Sequence, residues 1–165
     1  MTYSDEDYFN IVGDLLAKKE VQALAKYTHH KHTDRLKHSV RVSYYSFKVA
    51  KKLGLASKDV AIAGLLHDLF YYDTKTDKQE NHLKEHPQIA LVNALKIADL
   101  TIKEQDIILS HMFLISMKHI PKSRESLLVS LVDKAVSMQE VFMFSKIFRK
   151  SDDNILPLCN AVPRL

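Results

Sequence analysis

Residues 61–70 place a histidine and an aspartate side by side within an apolar run. The segment reads AIAGLLHDLF, so His67 and Asp68 follow two leucines and precede a leucine and a phenylalanine. Burying an imidazole and a carboxylate in such surroundings is costly unless each group is paired or coordinates a metal. The doublet is therefore either a buried ion pair or part of a metal site. Gly64, one turn before Asp68, is expected to leave space beside the carboxylate.

Four further imidazole or carboxylate groups are expected to point inward from other segments: His38, His86, His111 and Asp133. Asp133 stands in the apolar stretch SLLVSLVDKAVSM, where an unpaired buried carboxylate would be strongly destabilising. A single inward histidine is most simply a hydrogen-bonded core residue. Six such groups together are instead the kind of ligand set that binds a divalent transition metal.

The apolar periodicity is helical along almost the whole chain, and these helices must position the six groups. Ser4 is expected to cap the first helix, and Gly54 to stop a helix over 34–53. Ser57 is expected to cap a helix that is apolar on nearly every side and therefore central. Further helices are predicted from Pro87 to about residue 100, over 102–111 and over 123–148.

Three segments lack this helical period. Residues 28–34, THHKHTD, indicate a polar bend, and the polar connection 71–85 is long enough for a lid or binding segment. The tail 151–165 contains two prolines and is expected to be irregular. His86 precedes a proline and should lie in extended backbone at a helix entrance. With no strand alternation visible, the sequence predicts an all-α protein.

Composition narrows the class of protein. A chain of 165 residues fits one domain, and the N-terminus has no apolar core of a signal peptide. No run is long and apolar enough to span a membrane, and the single Cys159 fits a reducing, cytoplasmic location. The net charge of +4 favours an anionic ligand, but the basic residues are dispersed, so no nucleic-acid partner is expected.

The order His38 … His67-Asp68 … His86 … His111 … Asp133 resembles the HD-domain superfamily of metal-dependent phosphohydrolases. Its core pattern is H…HD…D, with extra histidines in dinuclear members. The stretches RLKHSVRV, AGLLHDL and SLVDKAV carry the resemblance, which covers about residues 35–140. The chain is most similar to small stand-alone bacterial members. The implied fold is a compact helical bundle, with 1–165 forming a single domain.

The resemblance also implies the metal ligands and the reaction. One metal would be held by His38, His67, Asp68 and Asp133, and Asp68 would bridge to a second held by His86 and His111. The implied ions are two divalent metals, with Fe, Mn or Mg ahead of Zn, Co or Ni. The implied reaction is hydrolysis of a phosphate ester or anhydride of a small nucleotide-like molecule by a metal-bridging hydroxide.

Other residues have two interpretations each. Arg41, in the H-x-x-R pattern with His38, could contact a substrate phosphate or form a salt bridge to a neighbouring helix. Lys134 could contact the phosphate or be solvated. Tyr71 and Tyr72 could stack on a nucleobase or pack against the helical core.

Two alternative functions remain open at this stage. The same ligand set serves di-iron oxygenases of the superfamily, and a metal-stabilised domain could bind a ligand without catalysis. Many superfamily members continue the doublet as HD-I-G-K, whereas Leu69, Phe70 and Tyr71 follow it here, which argues against cyclic-dinucleotide cleavage. The expected partner is a small anionic phosphate or nucleotide, and a homodimer is compatible with the sequence.

Overall fold

The computed structural model of the chain describes residues 5–30, 33–72 and 82–141. Within them the chain forms seven α-helices, one 3₁₀ helix over Ala23–Lys26 and two short strands, so the all-α prediction is confirmed. The helices are α1 Asp5–Leu16, α2 Lys19–Gln22, α3 Arg35–Leu53, α4 Ser57–Leu66, α5 His82–Leu95, α6 Ile102–Ser110 and α7 Arg124–Val141.

Residues 28–30 and 33–34 of the expected polar bend form a small antiparallel ladder. Strand β1, Thr28–His30, pairs with β2, Thr33–Asp34, and the Arg35 N–H extends the pairing to the Tyr27 carbonyl at 2.9 Å. Strands of two and three residues are too short to show an apolar alternation in sequence, which is why the pattern gave no signal. The ladder brings the chain to the start of α3.

Helix α3 begins and ends where the sequence predicts. The Asp34 side chain accepts a hydrogen bond from the Lys37 N–H at 2.9 Å, which caps the first turn. Gly54 ends the helix in the left-handed conformation, with φ of 65°, and its N–H bonds back into the last turn. His38 and Arg41 therefore lie in the first two turns of a well-defined helix.

Helix α4 is central, as predicted, and six of its ten residues are buried. A Cβ on Gly64 would lie 2.9 Å from the Ser43 Cα, so this glycine lets α3 and α4 approach closely. It does not serve mainly to leave space beside Asp68. Ser57 is the first helical residue rather than the cap. The capping position is Ala56, whose N–H donates to Glu125 of α7 at 3.1 Å.

Helix α5 differs most from the sequence prediction. It begins at His82 rather than at Pro87, and it ends at Leu95 rather than near residue 100. Pro87 lies inside the helix, where its ring removes one backbone donor from the hydrogen-bond ladder. His86 is consequently in helical backbone rather than extended, because burial of α5 outweighs the local preference of a residue before proline.

Helices α6 and α7 are close to prediction where they are described. Thr101 and Glu104 form a reciprocal capping box at the start of α6, and the Ser123 hydroxyl accepts from the Ser126 N–H at the start of α7. The predicted Ser4 cap, most of the 71–85 connection, the end of the long helix after 141 and the tail 151–165 lie outside the described residues. No helix in the described ranges is long and apolar enough to cross a membrane.

Candidate metal centre

The fold brings the six predicted ligands together in the interior. Each is at most 6% exposed. They come from five parts of the chain: His38 from α3, His67 and Asp68 from the end of α4, His86 from α5, His111 from the end of α6, and Asp133 from α7. Three overlapping trios offer ligand atoms within 4.8 Å of one another: His38, His67 and Asp68; His67, His111 and Asp133; Asp68, His86 and His111.

On one side of the cluster, two histidines face the Asp133 carboxylate. His38 Nε2 lies 3.1 Å from Asp133 Oδ1, and His67 Nε2 lies 3.7 Å from the same oxygen. His67 Nε2 is also 3.8 Å from Asp68 Oδ2. Two imidazoles and two carboxylates therefore share one small volume.

On the other side, the second oxygen of Asp68 faces a different pair of histidines. His86 Nε2 lies 3.5 Å and His111 Nε2 lies 3.6 Å from Asp68 Oδ1. Asp68 thus presents Oδ2 to His67 and Oδ1 to His86 and His111. A carboxylate used on both sides in this way can belong to two cation sites at once.

The hydrogen bonds made by Nδ1 fix which atom of two of these rings faces the cluster. His67 Nδ1 donates to the Gly64 carbonyl at 2.8 Å, and His111 Nδ1 donates to the Ile108 carbonyl at 2.7 Å. Each neutral ring therefore keeps a lone pair on Nε2. His67 Nε2 has no hydrogen-bond partner among the described residues, and it faces carboxylate oxygens that are also acceptors. Convergent lone pairs and anions fit a bound cation.

The charges around His38 differ from those around the other rings. Burial lowers the pKa of His38, but hydrogen bonds to Asp133 and Glu140 outweigh it and raise the pKa from 6.5 to about 10. Burial likewise raises the pKa of Asp133, yet the hydrogen bond from His38 holds that pKa well below its ordinary value. Because a metal ligand must offer a lone pair, the Nε2 hydrogen of His38 has to leave when a cation binds.

The pKa of His111 is shifted in the opposite direction from that of His38. Burial, followed by the nearby His67 and His86 rings, lowers the pKa of His111 from 6.5 to about 3. Its Nε2 is 2.8 Å from His86 Nε2. Two lone pairs at that distance repel unless one nitrogen carries a hydrogen or both bind a cation. The second pair of histidines therefore also fits a metal.

Arg41 and Lys134 both lie beside the cluster. Arg41 forms the salt bridge to a neighbouring helix, with NH1 3.1 Å from Glu140 Oε1 on α7. Lys134 is half-buried rather than solvated, and its Nζ donates to the His111 carbonyl at 2.5 Å. The same Nζ is 3.5 Å from Asp133 Oδ2, and burial lowers the pKa of Lys134. Its ammonium group is therefore held next to the candidate metal ligands.

The two tyrosines contact neighbouring aromatic side chains, although Tyr71 is 37% exposed. The Tyr71 hydroxyl donates to the Glu20 carbonyl at 3.2 Å, and its ring centre lies 6.3 Å from that of Tyr27. The Tyr72 ring lies 4.7 Å from that of Phe70. These contacts favour the packing interpretation over base stacking.

Two buried charged residues near the centre were not singled out from the sequence. Glu140, whose Oε2 is 3.1 Å from His38 Nδ1, lies seven residues after Asp133, so the spacing of two helical turns could have indicated it. Arg35 is fully buried and donates to the Phe70 and Tyr72 carbonyls at 2.8 and 3.1 Å. It fixes the backbone just after the doublet. Only the fold shows this role, since both acceptors are main-chain atoms.

Comparison with known proteins agrees with this geometry. The family model for the HD domain matches residues 35–138, more than half of the chain, and the matched range contains all six candidate ligands. Neither the curated proteins nor the solved structures gave a significant match. HD domains bind divalent metals, and the family includes metal-dependent phosphohydrolases. The chain belongs to the HD-domain family.

Proposed function

We propose that this chain is a metal-dependent phosphohydrolase that cleaves a phosphate ester or anhydride of a small, nucleotide-like molecule. The observation that carries the proposal is the position of Asp68, whose two oxygens face two separate sets of imidazoles. A buried carboxylate in this position serves a pair of cations better than it serves one. Pairs of cations are a recurrent device for phosphoryl chemistry.

The ligand set has a charge that suits an anionic substrate. His38, His67, Asp68 and Asp133 would hold one ion, and Asp68, His86 and His111 the other. Bound divalent cations supply Lewis acidity, which lowers the pKa of a coordinated water and neutralises phosphate oxygens. Two divalent cations carry more positive charge than two aspartates cancel, so the centre remains attractive to a phosphate group.

Lys134 adds a further positive group at the edge of the centre. Its Nζ is held by the His111 carbonyl and lies 3.5 Å from Asp133 Oδ2. From this position the ammonium group can orient a phosphate oxygen or supply a proton to a leaving group, and its lowered pKa favours proton transfer. We assign Lys134 to phosphate orientation or leaving-group protonation in the proposed reaction.

Hydrolysis assays on the full chain test the proposal, with released phosphate measured for phosphate monoesters and the nucleotide products separated by chromatography for dinucleoside polyphosphates. The chain would be loaded separately with Mn²⁺, Mg²⁺, Fe²⁺ or Co²⁺ and tested against nucleoside phosphates, dinucleoside polyphosphates and simple phosphate esters. We expect turnover of at least one substrate with at least one metal. Failure across the whole panel would contradict the proposal, and substrate-dependent oxygen uptake with iron would replace it by the oxygenase alternative.

The variant Asp68→Asn links any activity to this centre. The substitution removes a negatively charged ligand shared by both ions, so we expect activity to fall by at least about 100-fold. This loss exceeds the usual effect of removing a residue that only hydrogen-bonds to a metal ligand. The matched control is Asp99→Asn, since Asp99 is exposed and outside the cluster. Full activity in Asp68→Asn, or an equal loss in the control, would remove the assignment.

A further inference from the structure

The side chain of Glu140 connects the candidate metal centre to Arg41. Its carboxylate is buried, with the residue only 2% exposed. Oε2 lies 3.1 Å from His38 Nδ1, and Oε1 lies 3.1 Å from Arg41 NH1. A buried carboxylate is strongly destabilising without partners, and these two contacts give each oxygen a donor.

The contact with His38 determines which ring nitrogen can bind a cation. A carboxylate accepts only, so His38 carries a hydrogen on Nδ1 toward Glu140 and another on Nε2 toward Asp133, each contact being 3.1 Å. Because Asp133 is itself a candidate ligand and Glu140 is held by Arg41, the Nε2 hydrogen is the one that leaves when a cation binds, and Nε2 is the ligand atom. Backbone carbonyls of Gly64 and Ile108 do the same for His67 and His111. Of these three rings, His38 is the one anchored by a charged side chain, which makes its Nε2 more strongly donating than a carbonyl would.

We propose that Glu140 is a positioning residue of the metal centre: held by Arg41, it keeps the hydrogen of His38 on Nδ1, so that the Nε2 lone pair is free to bind a cation beside Asp133. Arg41 then acts through Glu140 and His38 rather than on a substrate phosphate. The proposal rests on the metal centre of the proposed function but not on its reaction. It is therefore tested by metal affinity, and a chain that binds metal without hydrolysing phosphates leaves it intact.

The first test compares metal affinity in the full chain. Equilibrium competition for Mn²⁺ against a chelating dye would be measured for the wild type, Glu140→Gln and the control Glu6→Gln, an exposed residue of α1. We expect Glu140→Gln to weaken Mn²⁺ binding by about 10- to 100-fold, as is usual when a group that orients a metal ligand is removed. Wild-type affinity in Glu140→Gln would overturn the proposal.

A second substitution separates positioning from a general structural role. In Glu140→Gln the amide oxygen is drawn to Arg41, which only donates, so the amide NH₂ faces His38 Nδ1 and favours the wrong tautomer. Adding Arg41→Met frees the amide to turn its oxygen toward His38. We expect the double variant to bind Mn²⁺ about tenfold more tightly than Glu140→Gln alone. If the double variant instead binds Mn²⁺ more weakly than Glu140→Gln alone, because the two losses of affinity add, the proposal is overturned.

A measurement on the wild type covers the case in which the variants do not fold. Nitrogen-15 NMR of histidine-labelled chain loaded with diamagnetic Zn²⁺ reports which nitrogen of each ring carries hydrogen. We expect His38 to show a protonated Nδ1 and a metal-bound Nε2, with the signal assigned by its loss in His38→Gln. A His38 ring protonated at Nε2, or bound through Nδ1, would contradict the proposal.

Discussion

His67 and His111 each occupy the residue that ends a helix, and each donates Nδ1–H to the carbonyl three residues earlier. The last carbonyls of a helix lack partners within the helix, so each bond satisfies one of them. The same bond fixes the tautomer that turns Nε2 toward the centre. One local contact thus both completes a helix end and prepares a metal ligand.

At Gly64, any side chain would collide with the backbone of the neighbouring helix α3. In Gly64→Ala the new Cβ would lie 2.9 Å from the Ser43 Cα, a backbone atom that cannot simply rotate away. We expect the variant to lose about 1–3 kcal/mol of unfolding free energy, because α3 and α4 must move apart. Urea denaturation of the metal-free chain would measure this loss.

Gly13 offers a matched control for this substitution. It lies in α1, and a Cβ there would meet nothing within 4 Å. Gly13→Ala should therefore raise the unfolding free energy by about 0.5–1 kcal/mol through helix propensity alone. Equal stability changes in the two variants would contradict the close approach of α3 and α4.

Among the helices, α7 makes connections at two levels along its length. Asp133, in its middle, and Glu140, two turns later, face His38 of α3. At its start, the Glu125 carboxylate accepts from the Ala56 N–H at 3.1 Å and lies 3.2 Å from Lys103 Nζ. Helix α7 therefore contacts the residue that precedes the central helix α4 and also supplies one candidate ligand, Asp133.

The Glu125 contact predicts a pH-dependent contribution to stability. Burial raises the pKa of Glu125, but hydrogen bonds from Ala56 and Lys103 outweigh it, so the folded pKa lies below the ordinary 4.5. The contribution is then present above pH 4.5 and lost as pH falls through the folded pKa. We expect wild type to be more stable than Glu125→Gln at pH 7, with a difference that shrinks below pH 4.5. A difference that stays constant down to pH 3 would contradict this.

The elements show where sequence reasoning succeeded and where it did not. The α3 limits followed from the apolar period over 34–53 and from Gly54, because periodicity and a left-handed glycine are local features. The start of α5 did not, because the buried His86 is helical despite the local preference of a residue before proline. Ser57 was wrong as a cap because the helix already begins at Ser57, and the residue before it, Ala56, donates its N–H to Glu125 of a distant helix.

At the site, too, local features could be predicted from the sequence and contacts between distant parts of the chain could not. The six candidate ligands could be named because imidazole and carboxylate groups in apolar helices are conspicuous in sequence, and the fold brings all six together. The role of Arg35 could not, since it binds the carbonyls of Phe70 and Tyr72, and main-chain acceptors leave no mark on residue type. The partition of Asp68 between two sets of histidines likewise needed coordinates, because it depends on the direction of each carboxylate oxygen.

For the molecule as a whole, the buried centre is where helices α3 to α7 converge. Every ligand reaches it from a different helix or helix end except the neighbouring His67 and Asp68. Two cations bound there would together connect all five helices, so metal binding should stabilise the fold as well as provide chemistry. Both the proposed reaction and this stabilisation therefore depend on the number of metal ions that the centre binds.

Elemental analysis of untagged chain, prepared without chelator and reconstituted with Mn²⁺ or Fe²⁺, measures that number directly. We predict close to two equivalents of metal per wild-type chain. In His86→Gln we predict about one, because only the ion shared by Asp68, His86 and His111 loses a ligand. One equivalent in the wild type, or two in the variant, would contradict the two-ion centre. No metal in either would contradict a metal site at His67 and Asp68 altogether.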